Sequence, residues 1–249
     1  MSGITAMEIK KIRELTNGKL SLAECKAILI EADGNMKKAT MILVEKGIDV
    51  KVDEAEYTVN LELSKPHGII VFGLNGSGKT TLGRELARVM NFKYMDIEDY
   101  HFLESEIPYT NARSRDECLN LMLSDIKKHR SFIISAVTGN FGEEISSMYM
   151  LAVYITAPIE IRLKRIKQRE YEKHGGRVLE GGDMHEQQLK FLNFVSTRSI
   201  KPIEQFKESL VCPIISVNGI EDYRGTAIKI ARLYEELLHQ TIIPKLSDC

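Results

Sequence analysis

Residues 68–90 read GIIVFGLNGSGKTTLGRELARVM, an apolar run, a glycine-rich turn and an amphipathic helical pattern in unbroken succession. No other feature constrains the fold as strongly, because a buried strand feeding a helix through such a turn calls for a sheet with a helix packed on it. Within it, Gly73-Leu-Asn-Gly-Ser-Gly-Lys79-Thr80 matches the pattern G-x-x-x-x-G-K-[ST]. Glycine at 73, 76 and 78 lets backbone N–H groups turn inward onto phosphate oxygens, where a side chain would crowd them. The helix start adds the positive end of its dipole. Lys79 is placed to reach β and γ phosphates as a point charge, and Thr80 to offer a hydroxyl to magnesium. Gly73, Asn75, Gly76, Ser77, Gly78, Lys79, Thr80 and Thr81 therefore form the candidate cradle for ATP with Mg2+.

From residue 68 onward, short apolar runs alternate with helical patterns. GIIVFG, FKYMD, SFIISAV, LAVYIT and CPIISV are five candidate buried strands, and their spacing predicts an α/β fold in which a five-stranded parallel sheet carries helices on both faces. The first 48 residues show helical periodicity in three blocks, punctuated by Asn17-Gly18, Asp33-Gly34-Asn35 and Gly47. Apolar faces are expected from Ile9, Ile12 and Leu15, then Leu22, Ala27 and Ile28, then Ala39, Ile42 and Leu43. Ser21 followed by Glu24 is a capping box, and Asn35 a cap for the third helix. The domain plan is a three-helix unit at 1–48, a linker at 49–66 with an edge strand from Tyr57 to Leu63, and a phosphate-loop domain at 67–249.

Acidic residues sharpen the chemistry. The third strand, SFIISAVTGN, ends without Asp or Glu, and LAVYITAP does likewise, which disfavours motor-type and recombination-type ATPases; no N-K-x-D guanine-reading motif is present either. The strand after the loop helix does end in acids: FKYMDIEDYHF supplies Asp96, Glu98 and Asp99, with His101 behind them. In a parallel sheet the carboxyl ends of the strands open onto one crevice, so these acids are expected to face the phosphates. Two acids two residues apart on an extended strand project to one side. This arrangement resembles the D-x-D of shikimate kinase and the D-x-D-x-x-H of gluconate kinase, within the small P-loop kinase family that includes adenylate kinase. The resemblance implies that Asp96 sits near magnesium and that Glu98 orients or deprotonates an acceptor hydroxyl. Glu98 stands where the family has Asp, one methylene longer. Asp99 and His101 are substrate candidates, with His101 equally readable as a loop histidine.

After VYITAP comes IEIRLKRIKQREYEKHGGRVLEGGD, with seven Lys or Arg between Arg162 and Arg177 against Glu170 and Glu172. Arg162, Arg165 and Arg169 share one helical face. Guanidinium groups bind phosphate oxygens in pairs and neutralise the charge of a transferring phosphoryl group. Small P-loop kinases carry arginines in a mobile lid at this point of their topology; that resemblance implies catalytic roles for Arg165 and Arg169, with Arg162 as a further candidate and Arg177 at a lid tip. Gly175-Gly176 and Gly181-Gly182 bracket the tip as hinges. Ahead of a further amphipathic helix stand Tyr109, Arg113 and Arg115. Arg113 and Arg115 are candidates for an anionic substrate, or for helix-start ion pairs with Asp116 or Glu117.

At the amino terminus, IRELTNGKLSLAECKAILIEADGNMKKATMILVEKGI resembles the first domain of elongation factor Ts, a ubiquitin-associated-like three-helix unit. The resemblance implies a protein-docking role for residues 1–48. The chain lacks the rest of that factor, so exchange activity is not implied. A formal net charge of −1 supplies no global basic field for nucleic acid, and no run approaches the length of a membrane span. Four scattered cysteines form neither a disulfide framework nor a zinc site. The expectation is a cytoplasmic ATP-dependent phosphotransferase acting on a small-molecule or nucleotide acceptor. Two alternatives stay open: a nucleotide-gated module that docks a protein such as a translation factor, and a kinase of nucleic-acid ends.

Overall fold

The computed structural model describes residues 4–46, 48, 65–103 and 111–246. The chain divides into two compact units, 1–58 and 59–249. The expected edge strand, Gly47, and Tyr109 lie outside the described residues.

The first unit holds helices α1 (Ala6–Leu15), α2 (Leu22–Glu31) and α3 (Met36–Glu45). Ser21 and Glu24 form the expected capping box on α2, and Thr5 with Glu8 forms another on α1 that the sequence reading overlooked. Asn17-Gly18 and Asp33-Gly34 take left-handed backbone conformations that stop α1 and α2. The buried set is Ile12, Cys25, Ile28, Leu29, Ala32, Ala39, Ile42 and Leu43. On α2 the inward face is thus Cys25, Ile28 and Leu29, whereas the expected Leu22 and Ala27 are exposed. Leu22 follows the cap directly, and the i, i+3, i+4 stripe that closes against α1 and α3 starts at Cys25.

The second unit is a parallel α/β domain. Its elements run β1 (His67–Phe72), α4 (Lys79–Met90), β2 (Lys93–Asp96), α5 (Ile97–His101), α6 (Arg115–His129), β3 (Ser131–Ala136), α7 (Glu143–Ser146), β4 (Tyr149–Thr156), α8 (Ile159–His174), a 3-10 turn (Gly175–Val178), α9 (His185–Thr197), α10 (Lys201–Ser209), β5 (Ile214–Asn218) and α11 (Tyr223–Leu246). All five expected strands are present, in the order β2-β3-β1-β4-β5 and parallel throughout. β1 is buried at every position because it lies mid-sheet with helices on both sides. Its alternate residues split the core. Ile69 and Val71 pack with Leu82 and Leu86 of α4 and with Ala231 and Tyr234 of α11. Ile70 and Phe72 pack with Met122 and Ile126 of α6 and with Ile203 and Phe206 of α10. With every strand parallel, the carboxyl ends form one edge, and the loops leaving that edge build the candidate site.

Candidate active site

The loop between β1 and α4 wraps the start of α4 in glycines whose positions would strain any side chain. Gly76 has φ 78° and Gly78 has φ 110°; a β carbon on Gly76 would also stand 2.6 Å from the Arg162 carbonyl oxygen. Gly73 packs against the Ile155 carbonyl too closely for any side chain. Gly73 and the fully buried Ser77 therefore shape the loop from behind, while Asn75, Gly76, Gly78, Lys79, Thr80 and Thr81 line an open cleft of about 1600 Å³. The Ser77 hydroxyl has no hydrogen-bond partner among the described residues.

Lys79 reaches back to donate to the Leu74 carbonyl at 3.1 Å. Burial pulls its pKa down from 10.5 to about 8, opposed by Glu98 and Asp96 and reinforced by Arg198 and Arg169. A half-buried ammonium flanked by both signs of charge, at a helix amino terminus, is arranged for an anion. Thr80 donates to Asp96 Oδ2 at 3.1 Å. Asp96 ends β2 and caps α5, where its Oδ1 accepts from the Glu98 amide at 3.3 Å. β3 separates β2 from β1, and the approach of Asp96 to Thr80 is possible because its neighbour in register on β3 is the small Ser135.

Asp96, Glu98 and Asp99 all line the cleft. The strand-alternation argument for Asp96 and Glu98 does not hold, because Glu98 lies in the first turn of α5 and not on the strand. It is the tight strand-to-helix corner capped by Asp96 that brings the acids together. Among the described residues, no three His, Cys, Asp or Glu side chains converge as a metal site. A magnesium ion on the Thr80–Asp96 pair would thus need phosphate oxygens and water to complete its shell, which is the usual habit of this cation. The donor set, the half-buried ammonium and the glycine cradle fit a magnesium-bound nucleoside triphosphate.

The expected arginines separate into different tasks. Arg165 donates to the carbonyls of Ser77 at 3.2 Å, Gly76 at 3.5 Å and Gly219 at 2.8 Å, tying the phosphate loop to the turn after β5. Arg162 is buried and donates to the Asn75 carbonyl at 3.3 Å. Arg169 lines the cleft and pairs with Glu170 at 2.8 Å. Arg177 pairs with Asp183 at 2.7 Å on the surface of the segment after α8, and does not line the cleft. Arg113 lines the cleft while its Nη1 caps the end of α5 through the carbonyls of Asp99, Tyr100 and Phe102. Arg115 donates to the Asn140 carbonyl at 2.8 Å, pinning the loop after β3. His101 packs its ring edge-on against Phe102 and accepts the Arg113 amide with its carbonyl; it is not among the cleft-lining residues.

Two residues were overlooked. Arg198, just past α9, donates to Asn75 Oδ1 at 2.7 Å and lies over Phe194, and burial lowers its pKa. Nothing in its local sequence, VSTRSI, signals this; only the return of the chain to the loop does so. Tyr94 donates to Asp96 Oδ2 at 3.0 Å, and its i, i+2 spacing from Asp96 on β2 was a readable signal.

Both units show sequence similarity to known proteins. Residues 69–190 match the family described as "AAA domain". Over 157 residues the chain is 29% identical to an uncharacterized protein, YqaC, of Bacillus subtilis (strain 168), covering 60% of this chain and 86% of that protein. It is 26% identical over 179 residues to a shikimate kinase of Clostridium botulinum (strain Okra / Type B1), covering 68% of this chain and 96% of the enzyme. A separate match of 53% over 45 residues is to elongation factor Ts of Alkaliphilus metalliredigens, covering 18% of this chain and 20% of that factor. The second unit is a five-stranded all-parallel α/β domain with the phosphate loop between β1 and α4, and among the described residues no helix is long and apolar enough to cross a membrane.

Proposed function

We propose that the protein is an ATP-dependent phosphotransferase that delivers the γ-phosphoryl group to a hydroxyl of a small-molecule or nucleotide acceptor. The observation that carries this reading is the convergence of Lys79, the Thr80–Asp96 pair and Glu98 along one cleft. ATP would supply the phosphoryl group, and Mg2+ would neutralise charge on its oxygens. The loop amides and the Lys79 ammonium bind and orient the phosphates. Asp96 and Thr80 hold the cation side, and Arg165 keeps the loop carbonyls turned away from the phosphates. Glu98, lining the same cleft, is placed to accept the proton of an acceptor hydroxyl. Arg169 supplies positive charge from α8. The similarity to shikimate kinase supports phosphotransfer without naming the acceptor.

Glu98→Gln separates the roles. Nucleotide affinity is expected to stay close to wild type while turnover falls by roughly 10²–10⁴. Loss of binding, or undiminished turnover, contradicts the assignment.

A second reading adds a docking role. The first unit has its own buried core and resembles the corresponding part of elongation factor Ts, which supports a protein-binding task for residues 1–48. A pull-down with the full chain that recovers no saturable partner depending on this unit argues against it.

A further inference from the structure

We propose that Tyr94 is a positioning residue for the metal-facing carboxylate, its hydroxyl holding Asp96 in the rotamer that turns Oδ2 toward Thr80. The inference rests on the Mg2+–ATP reading above and adds a residue to it.

Asp96 is held at both ends. Oδ1 accepts the Glu98 amide at 3.3 Å, and Oδ2 accepts the Tyr94 hydroxyl at 3.0 Å and the Thr80 hydroxyl at 3.1 Å. With the Thr80 oxygen engaged by a cation, Tyr94 is the remaining side-chain donor to that carboxylate among the described residues. Without this donor, the carboxylate would rely on a single backbone contact and could rotate out of line with Thr80.

The surroundings are built for the ring. Gly83 occupies the interior of α4, where glycine weakens a helix relative to alanine. A β carbon there would stand 2.8 Å from Tyr94 Cε2 and 2.5 Å from Ser135 Oγ. The bare helix surface at Gly83 is thus what admits the phenol to the end of β2. The Arg84 guanidinium carbon lies 5.5 Å from the ring centroid. Ser135, level with Asp96 on β3, donates to the Lys79 carbonyl at 3.2 Å. Ring, glycine and serine are set by separate elements, β2, α4 and β3, so the phenol has little freedom to move away.

The test is calorimetric titration of the full chain with ATP, with Mg2+ and again in EDTA, for wild type and Tyr94→Phe. The variant keeps every carbon of the ring, and its EDTA titration reports whether the phosphate loop is intact. The gain in ATP affinity that Mg2+ confers is expected to shrink about tenfold in Tyr94→Phe, with the EDTA affinity unchanged. An unchanged Mg2+ gain, or equal losses with and without Mg2+, overturns the proposal; the latter would mark Tyr94 as a packing residue. A wild type that ignores ATP and Mg2+ altogether overturns the phosphotransfer reading instead.

Discussion

Replacing Lys79 by methionine should stabilise the nucleotide-free protein while abolishing nucleotide binding. Burial depresses the Lys79 pKa from 10.5 to about 8. At 1.36 kcal/mol per pH unit this is a penalty of about 3 kcal/mol on the folded state at neutral pH, reduced by the solvent that reaches part of the side chain. Methionine removes that penalty and keeps an unbranched stem, but it leaves the Leu74 carbonyl without its donor, a loss of about 1 kcal/mol. The net expectation is a gain of about 1–2 kcal/mol at pH 7, an order-of-magnitude balance of the same two effects. The pH dependence carries a second signature. Between about 8 and 10.5 the unfolded chain holds the Lys79 proton more tightly than the folded one, so wild-type stability rises with pH across that window. Below it both states are protonated and the penalty is complete. Urea unfolding at pH 7 and pH 9.5 without nucleotide measures both effects through the midpoint. Adding Mg2+–ATP must reverse the ranking, because only wild type gains from ligand linkage. A Lys79→Met protein that is less stable at pH 7, or that keeps the wild-type rise toward alkaline pH, would refute the reasoning.

Arg165→Met should lower both stability and nucleotide affinity, because three loop carbonyls lose a charged donor; each such bond contributes roughly 1.5–3 kcal/mol when formed with a charged group, so unfolding by urea will register it even without ATP. A variant with normal stability and a loss confined to turnover would contradict this and favour direct contact of Arg165, which lines the cleft, with the phosphates. At the far end of β1, burial and then Arg130 hold the His67 imidazole down to about 4, with Nδ1 hydrogen-bonded to the Tyr234 hydroxyl and Nε2 to Ser131. Its contribution is therefore present above about pH 6.5 and lost as pH falls toward 4, since the unfolded chain binds the proton first. Thermal unfolding between pH 7 and pH 4.5 should show this acid loss in wild type and a flatter profile in His67→Gln.

The strands and the phosphate loop were readable because their signals are local. Apolar runs of five or six residues, and glycines spaced by the needs of a turn, follow from neighbours in sequence. Asp96 and Glu98 were readable as a pair, although the wrong geometry stood behind the pairing: a capping carboxylate looks the same in sequence whether the acid after it continues a strand or begins a helix. Arg165 illustrates what sequence leaves open. Its position on the basic face of α8 is periodic and visible, yet whether a guanidinium meets phosphate or backbone carbonyl depends on how closely α8 approaches the loop. Arg198 depends on a chain return from 123 residues away, and no local pattern encodes that. In the first unit, Leu22 and Ala27 were misplaced because a ten-residue helix offers more than one apolar stripe, and only packing against its neighbours selects Cys25, Ile28 and Leu29.

The most direct test of the account is transfer of labelled γ-phosphate from Mg2+–ATP into a panel of nucleosides, nucleotides, sugar acids and aminocyclitols, with Glu98→Gln alongside wild type. The account predicts a labelled organic product from wild type that is lost in the variant. Tight ATP binding by wild type with no label transferred to any acceptor would contradict it.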